Sequence, residues 1–225
     1  MRTLTKEMQQ SLTPLKAIEL LKEGNKRFMS NLKVNRNLLQ QMNETCDGQF
    51  PFAFILSCID SRTSAELIFD QGLGDIFSCR IAGNILNTDI LGSMEFACKI
   101  AGSKVILVLG HTRCGAVKGA CDDAKLENLT FLLEKLKPAV ESETFTRTNR
   151  NSSNSEFVER VAELNVGLTM QEITRRSNVL REMAETGEIA IIGGMYDVET
   201  GRVEFQDDSM ISNTNTAYQS SEYQS

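Results

Sequence analysis

What most limits the fold of this 225-residue chain is a pair of short, unbroken apolar runs, PFAFILS over residues 51–57 and KVILVLG over residues 104–110. Neither has the alternation of a half-exposed strand or the 3.6-residue period of an amphipathic helix. They therefore read as strands covered on both faces, as in a parallel sheet. The first run leads into Cys58-Ile59-Asp60-Ser61-Arg62 and the second into His111-Thr112-Arg113-Cys114. In a parallel sheet the carboxyl ends of the strands share one edge, and ligands bind along it.

The segments between the runs supply the crossovers that parallel pairing needs. A helix is expected from just after Pro14 to near Asn31, with Leu15, Ile18, Leu20, Leu21 and Phe28 on its apolar face, and residues 31–48 are polar without a period. Thr63-Ser64-Ala65-Glu66 has the pattern of a capping box opening a short helix that stops at Gly72 or Gly74. Residues 75–82 read as a second strand, and residues 89–101 as a helix with Ile90, Leu91, Met94, Phe96 and Ala97 inward. Cys114 starts the helix after the second apolar run. Residues 129–140 and 157–185 read as two further helical blocks, followed by an apolar run at 189–194 and a hairpin turning at Thr200-Gly201. The alternation argues for a single α/β domain with a central, mainly parallel β-sheet. Residues 1–45 are expected to form an N-terminal helical arm, 46–208 the α/β body, and 209–225 a polar, disordered tail.

Composition narrows the function classes. The apolar runs are far shorter than the ~20 residues of a membrane-spanning helix, so no membrane insertion is expected. Thirty acidic against 24 basic side chains give a net charge of -6, which argues against nucleic acid as a partner. The N-terminal sequence lacks the apolar core of a signal peptide, so a cytoplasmic location is expected. In that reducing compartment six cysteines point to metal or redox chemistry rather than a disulfide framework. His111 is the only histidine, which excludes any site that needs two.

Cys58, His111 and Cys114 can meet at the carboxyl edge, and two thiolates with one imidazole suit a single Zn²⁺ ion. A Cys₂His set leaves a fourth position for water or for Asp60. Residues i and i+2 share a face in extended chain, so Arg62 can hold the Asp60 carboxylate off the metal and leave it to accept a proton from a zinc-bound water. A structural zinc site would want four protein ligands and no neighbouring Asp/Arg pair. Cys46, Cys79, Cys98 and Cys121 have no visible partner and read as packing residues or exposed thiols.

The motifs C-I-D-S-R, G-D-I-F-S-C-R-I-A-G-N and G-H-T-R-C-G-A-V-K-G-A, with LLKEGNKRF before them and GGMYDVETG after, resemble those of the β-class carbonic anhydrases. The resemblance implies an α/β fold with an antiparallel edge strand, a homodimer or dimer of dimers, and one zinc per chain in a 46–208 catalytic domain. It also implies Cys58, His111 and Cys114 as ligands, Asp60 and Arg62 as the catalytic pair, and Asp60 as a fourth ligand in a closed form. Gln49, Phe77, Ala82, Phe96 and Gly115 match the family's positions for substrate, with Phe96 reaching across a dimer. Some bacterial members hold inhibitory bicarbonate with a Trp, an Arg and a Tyr; Arg80 and Tyr196 match, but Ile55 stands where the Trp would be. The implied reaction is the reversible hydration of CO₂ to bicarbonate and a proton. The rival readings are hydrolysis of carbonyl sulfide or carbon disulfide on the same scaffold, and a non-catalytic zinc-stabilised binding module.

Overall fold

A computed structural model describes residues 3–213. Its elements follow in the order α1 (Lys6–Ser11), α2 (Pro14–Met29), α3 (Leu38–Glu44), β1 (Ala53–Ser57), α4 (Ala65–Ile68), β2 (Ile76–Arg80) and α5 (Thr88–Glu95). β3 (Val105–His111), α6 (Gly115–Cys121), α7 (Glu127–Glu134), α8 (Lys137–Ser142), α9 (Ser155–Arg176), α10 (Asn178–Glu185), β4 (Ala190–Tyr196) and β5 (Val203–Phe205) complete them. The strands form one sheet in the order β2-β1-β3-β4-β5. The first four run parallel and β5 pairs antiparallel with β4.

Both apolar runs are strands in which every residue is buried, because helices cover both faces of the sheet. On one face Phe54, Leu56, Ile106 and Val108 pack against Leu91 and Met94 of α5, Val166, Met170 and Ile173 of α9, and Leu180 of α10. On the other, Ile55, Val105, Leu107 and Ile192 pack against Ala17, Ile18 and Leu21 of α2 and Ala65 and Ile68 of α4. α2 starts where Thr13 accepts a hydrogen bond from the Lys16 amide and Pro14 presets the first turn. Full burial of an aliphatic side chain is worth about 1.5–3 kcal/mol, so α2 is fastened chiefly by Ile18 and Leu21. No helix among the described residues is long and apolar enough to cross a membrane.

Several elements depart from the sequence reading. The polar start of the chain contains two short helices, α1 and α3, capped by Thr5 and Asn37. No side chain caps α4, so the capping box is not formed. The chain leaves that helix at Phe69, before either glycine, and Asp70 takes a left-handed turn with φ 45°. The helix expected over 89–101 widens after Glu95 into a π turn, Phe96–Ile100. Phe96, expected inward, is 54% exposed, because at about 100° per residue it falls off the stripe that buries Ile90, Leu91, Met94 and Ala97. The 157–185 block breaks at Ser177, whose extended backbone ends α9 and whose hydroxyl accepts from the Leu180 amide to start α10. The 129–140 block breaks between α7 and α8, where Pro138 sits in the first turn of the second helix. At the start of the expected tail, Ile211 pairs with Ile191 of β4; residues 214–225 lie outside the described residues.

Candidate metal centre

Three of the four parallel strands deliver polar groups to the carboxyl edge. Ser57, the last residue of β1, is in register with Leu109 of β3 and Arg80 of β2, so Cys58 emerges beside the end of β3. Cys58, His111 and Cys114 are all buried, and one ligand atom from each lies within 4.8 Å of the others. The two sulfurs are 3.9 Å apart. Two Zn–S bonds of 2.3 Å at a tetrahedral angle would place them at about 3.8 Å.

The imidazole is oriented for the same purpose. His111 Nδ1–H donates to the Thr112 carbonyl at 2.9 Å, which leaves the lone pair on Nε2. That atom is buried and has no hydrogen-bond partner among the described residues. An orphaned acceptor beside two sulfurs is what a cation site presents. Thr112 is itself fixed: its amide donates to the Tyr196 carbonyl and its hydroxyl accepts from the Val198 amide. Arg113 takes a left-handed conformation, φ 58°, which turns the chain so that Cys114 can share the cluster with His111. Its guanidinium pairs with Glu199 on the β4–β5 hairpin.

The electrostatics favour a cation. The hydrogen bond from Cys114, opposed by burial, pulls the Cys58 thiol down to about 4. Cys114 is pushed far the other way by its hydrogen bond to Cys58, by burial and by repulsion from the Cys58 charge. The pair therefore holds its last proton firmly in a position where a divalent metal would replace it.

Asp60 stands outside the cluster. Arg62 grips it with a fork, Nε to Oδ1 at 2.9 Å and Nη2 to Oδ2 at 2.8 Å, and the Arg62 amide donates to Oδ1 at 3.0 Å. The guanidinium holds this carboxyl well below the usual carboxylate range despite partial burial. The turn that carries Asp60 is clamped from both sides. Thr63 Oγ1 donates to the carbonyls of Cys58 and Asp60 at 3.0 and 2.8 Å, and the Arg80 guanidinium donates to the same two carbonyls. The hydroxyl expected to cap α4 is thus used to hold the site.

A sequence profile of the carbonic anhydrase family matches residues 53–203. The chain belongs to the β-carbonic anhydrase family. Carbonic anhydrase 2 of Mycobacterium tuberculosis is 35% identical over 206 residues, covering 86% of this chain and 93% of that protein. The carbonic anhydrase of Mycolicibacterium smegmatis is 32% identical over 199 residues, with the same coverage of 86% and 93%. A solved structure of a tetrameric β-carbonic anhydrase from Sordaria macrospora is 28% identical at a TM-score of 0.63, covering 73% of this chain and 85% of that one.

Against the β-carbonic anhydrase pattern, the remaining expected residues divide into two groups. Ala82 and Gly115 flank the cluster, since the Ala82–Asn84 turn packs on the start of α6 and Gly115 follows Cys114. Gln49, Phe77 and Phe96 do not reach it within the chain. Gln49 precedes β1 and lines a cavity at its amino end with Lys104 and Gln9, and the four steps of β1 to the opposite edge span about 13 Å. Phe77 and Phe96 meet edge to face at 6.3 Å and line a separate open cavity beside the edge strand β2. Of the positions corresponding to the inhibitory pocket, Ile55, which replaces the Trp, is fully buried under α2 and α4, and the matching Arg80 is committed to main-chain carbonyls.

Proposed function

We propose that this carbonic anhydrase hydrates CO₂ reversibly to bicarbonate and a proton at a zinc ion held by Cys58 Sγ, His111 Nε2 and Cys114 Sγ. The observation that carries the reading is the buried, partnerless Nε2 beside two sulfurs at tetrahedral spacing, with Asp60 held by Arg62 outside that group. When bound, zinc acts as a Lewis acid that makes a water nucleophilic near neutral pH. The chain's own groups do the rest. Arg62 keeps Asp60 ionised and stops it from occupying the fourth coordination position. Asp60 is then a hydrogen-bond acceptor that orients the attacking water. Its carboxylate is too weak a base to retain the proton at neutral pH. The proton must leave without a histidine relay, because the only histidine is the proposed ligand. Ala82 presents only a methyl group and Gly115 no side chain beside the cluster, leaving room for an apolar substrate. X-ray absorption at the zinc edge of the purified protein should show two sulfurs at about 2.3 Å, one nitrogen and one further light atom. A shell of nitrogen and oxygen alone, or of three or more sulfurs, would contradict the ligand set.

The active assembly is a homodimer or a dimer of dimers. Three observations support this: the outward aromatic at Phe96, the neighbouring exposed Ile100 at 73% and the open edge of β2. Together they form an apolar, unpaired margin of the kind that proteins cover. A second copy docked there can bring its own Gln49, Phe77 and Phe96 toward this chain's cluster. Relatives from Sordaria macrospora are tetrameric. Sedimentation velocity of the holoenzyme at micromolar concentration should give a dimer or tetramer with no monomer boundary, and a stable, fully active monomer would overturn the assignment. Six free thiols among the described residues suit a reducing compartment, which supports a cytoplasmic location.

A further inference from the structure

We propose that Asn165 is a positioning residue of the metal centre, its side-chain amide holding Gly83 so that the Gly83 N–H points at the Cys58 sulfur. The first link is direct: Gly83 N–H donates to Cys58 Sγ at 3.3 Å, in the interior. A backbone donor on a thiolate favours its charged form and restrains its direction.

The turn that makes this contact is not one the chain adopts unaided. Gly83 and Asn84 are both left-handed, with φ 67° and 42°, and the second is not a glycine. A Cβ at position 83 would be strained by the positive φ and would press on Leu136 Cδ1 at 2.9 Å and the Ala116 Cβ at 3.3 Å. Two backbone bonds shape the turn, one across to β1 from Ile81 N–H to the Ser57 carbonyl and one local from Asn84 N–H to the Ile81 carbonyl. The Gly83 carbonyl takes its donor from 82 residues away: Asn165 Nδ2 at 2.9 Å, buried.

Asn165 sits midway along α9 and is only 4% exposed, and Val161, Ala162, Val166 and Met170 around it on the inward side are apolar. An amide in that row needs a reason, and the Gly83 carbonyl is the bond it makes. Without the amide, a buried carbonyl loses its donor and the turn gains a reason to rotate, which carries the Gly83 N–H off the sulfur. Groups one step behind a metal ligand typically change metal affinity 10–100-fold when removed.

The inference rests on Cys58 being a zinc ligand, and its test separates the two claims. Asn165→Leu removes the donor while keeping the branching and number of side-chain heavy atoms, and Asn165→Asp removes it while its carboxyl is ionised. Ile173→Ala, on the same helix but packed under the sheet, is the control for loss of stability. Zinc affinity of each folded variant is read by competition with a chromophoric chelator, and cobalt-substituted protein reports the thiolate-to-metal charge-transfer bands. The expected result is about 10–100-fold weaker zinc binding and shifted bands in both Asn165 variants, with neither change in Ile173→Ala. Zinc affinity within twofold of the parent and unmoved bands in Asn165→Asp would overturn the inference. If neither Asn165 variant folds, the parent protein loaded with ¹¹³Cd decides: a scalar coupling between the Gly83 amide proton and the metal supports the contact, and its absence removes it. Should Cys58→Ser retain full zinc affinity, the ligand assignment itself is wrong. Loss of zinc in Cys58→Ser with normal binding in Asn165→Asp leaves the ligand set standing and removes only the role of Asn165.

Discussion

Cys58→Ser, His111→Ala and Cys114→Ser should each yield protein that binds less than about a tenth of an equivalent of zinc after dialysis and has no measurable CO₂ hydration. Three protein ligands leave no spare donor nearby: Asp60 is engaged by Arg62, and among the described residues no other group of three or more metal-capable side chains comes together. The fold should survive, because the two large clusters on the faces of the sheet contain none of the three, and Cys58 and Cys114 pack only in a smaller cluster with Val117, Phe157 and Val161. Atomic absorption with far-ultraviolet circular dichroism checks both statements. A variant of this set that keeps a full equivalent of zinc would remove that residue from the ligand set.

Asp60→Asn should separate metal binding from turnover. The zinc content is expected to stay at one per chain, while kcat/KM for CO₂ falls about 10²–10⁴-fold, the range for loss of a positioned side chain that accepts a hydrogen bond from the reacting group. That corresponds to about 3–5 kcal/mol of transition-state stabilisation. Arg62→Ala should have a similar kinetic effect by a different route. With its fork gone, the Asp60 carboxylate is free to turn toward the metal and compete with water. The two can be told apart in cobalt-substituted protein, where only Arg62→Ala is expected to change the ligand field. Turnover in Asp60→Asn within a few-fold of the parent would remove Asp60 from the mechanism.

The strands and the three candidate ligands were legible in the sequence for a common reason. β1 and β3 are covered on both faces, so their sequences are apolar without alternation, and the residues after them must emerge at one edge. What could not be read depends on contacts far apart in the chain or on competition for one group. Thr63 fits a capping box, yet its hydroxyl is taken by two carbonyls of the Cys58–Asp60 turn. Helical periodicity runs through Ser177 without a break, and only the extended backbone there shows that one helix has become two. Phe96 is apolar and so reads as core, yet it lies two residues past Met94, off the stripe of Ile90, Leu91, Met94 and Ala97, and faces outward. α1 and α3 are six and seven residues long and mostly polar, too short for a period to show. Asn165 carries no local mark at all, since its partner lies on another element. Gln49 and Phe77 match family positions in sequence, and within the chain Gln49 lies near Gln9 and Lys104 at the amino end of β1, away from the edge that carries the cluster.

The most direct test of the account is the initial rate of CO₂ hydration by purified, zinc-loaded protein in a stopped-flow spectrophotometer, with sulfide release from carbonyl sulfide measured on the same preparation. A carbonic anhydrase with this centre should hydrate CO₂ with kcat/KM above about 10⁴ M⁻¹s⁻¹, exceed its own rate on carbonyl sulfide, and lose the activity when a chelator removes the metal. One equivalent of bound zinc with a hydration rate no faster than buffer alone would contradict it.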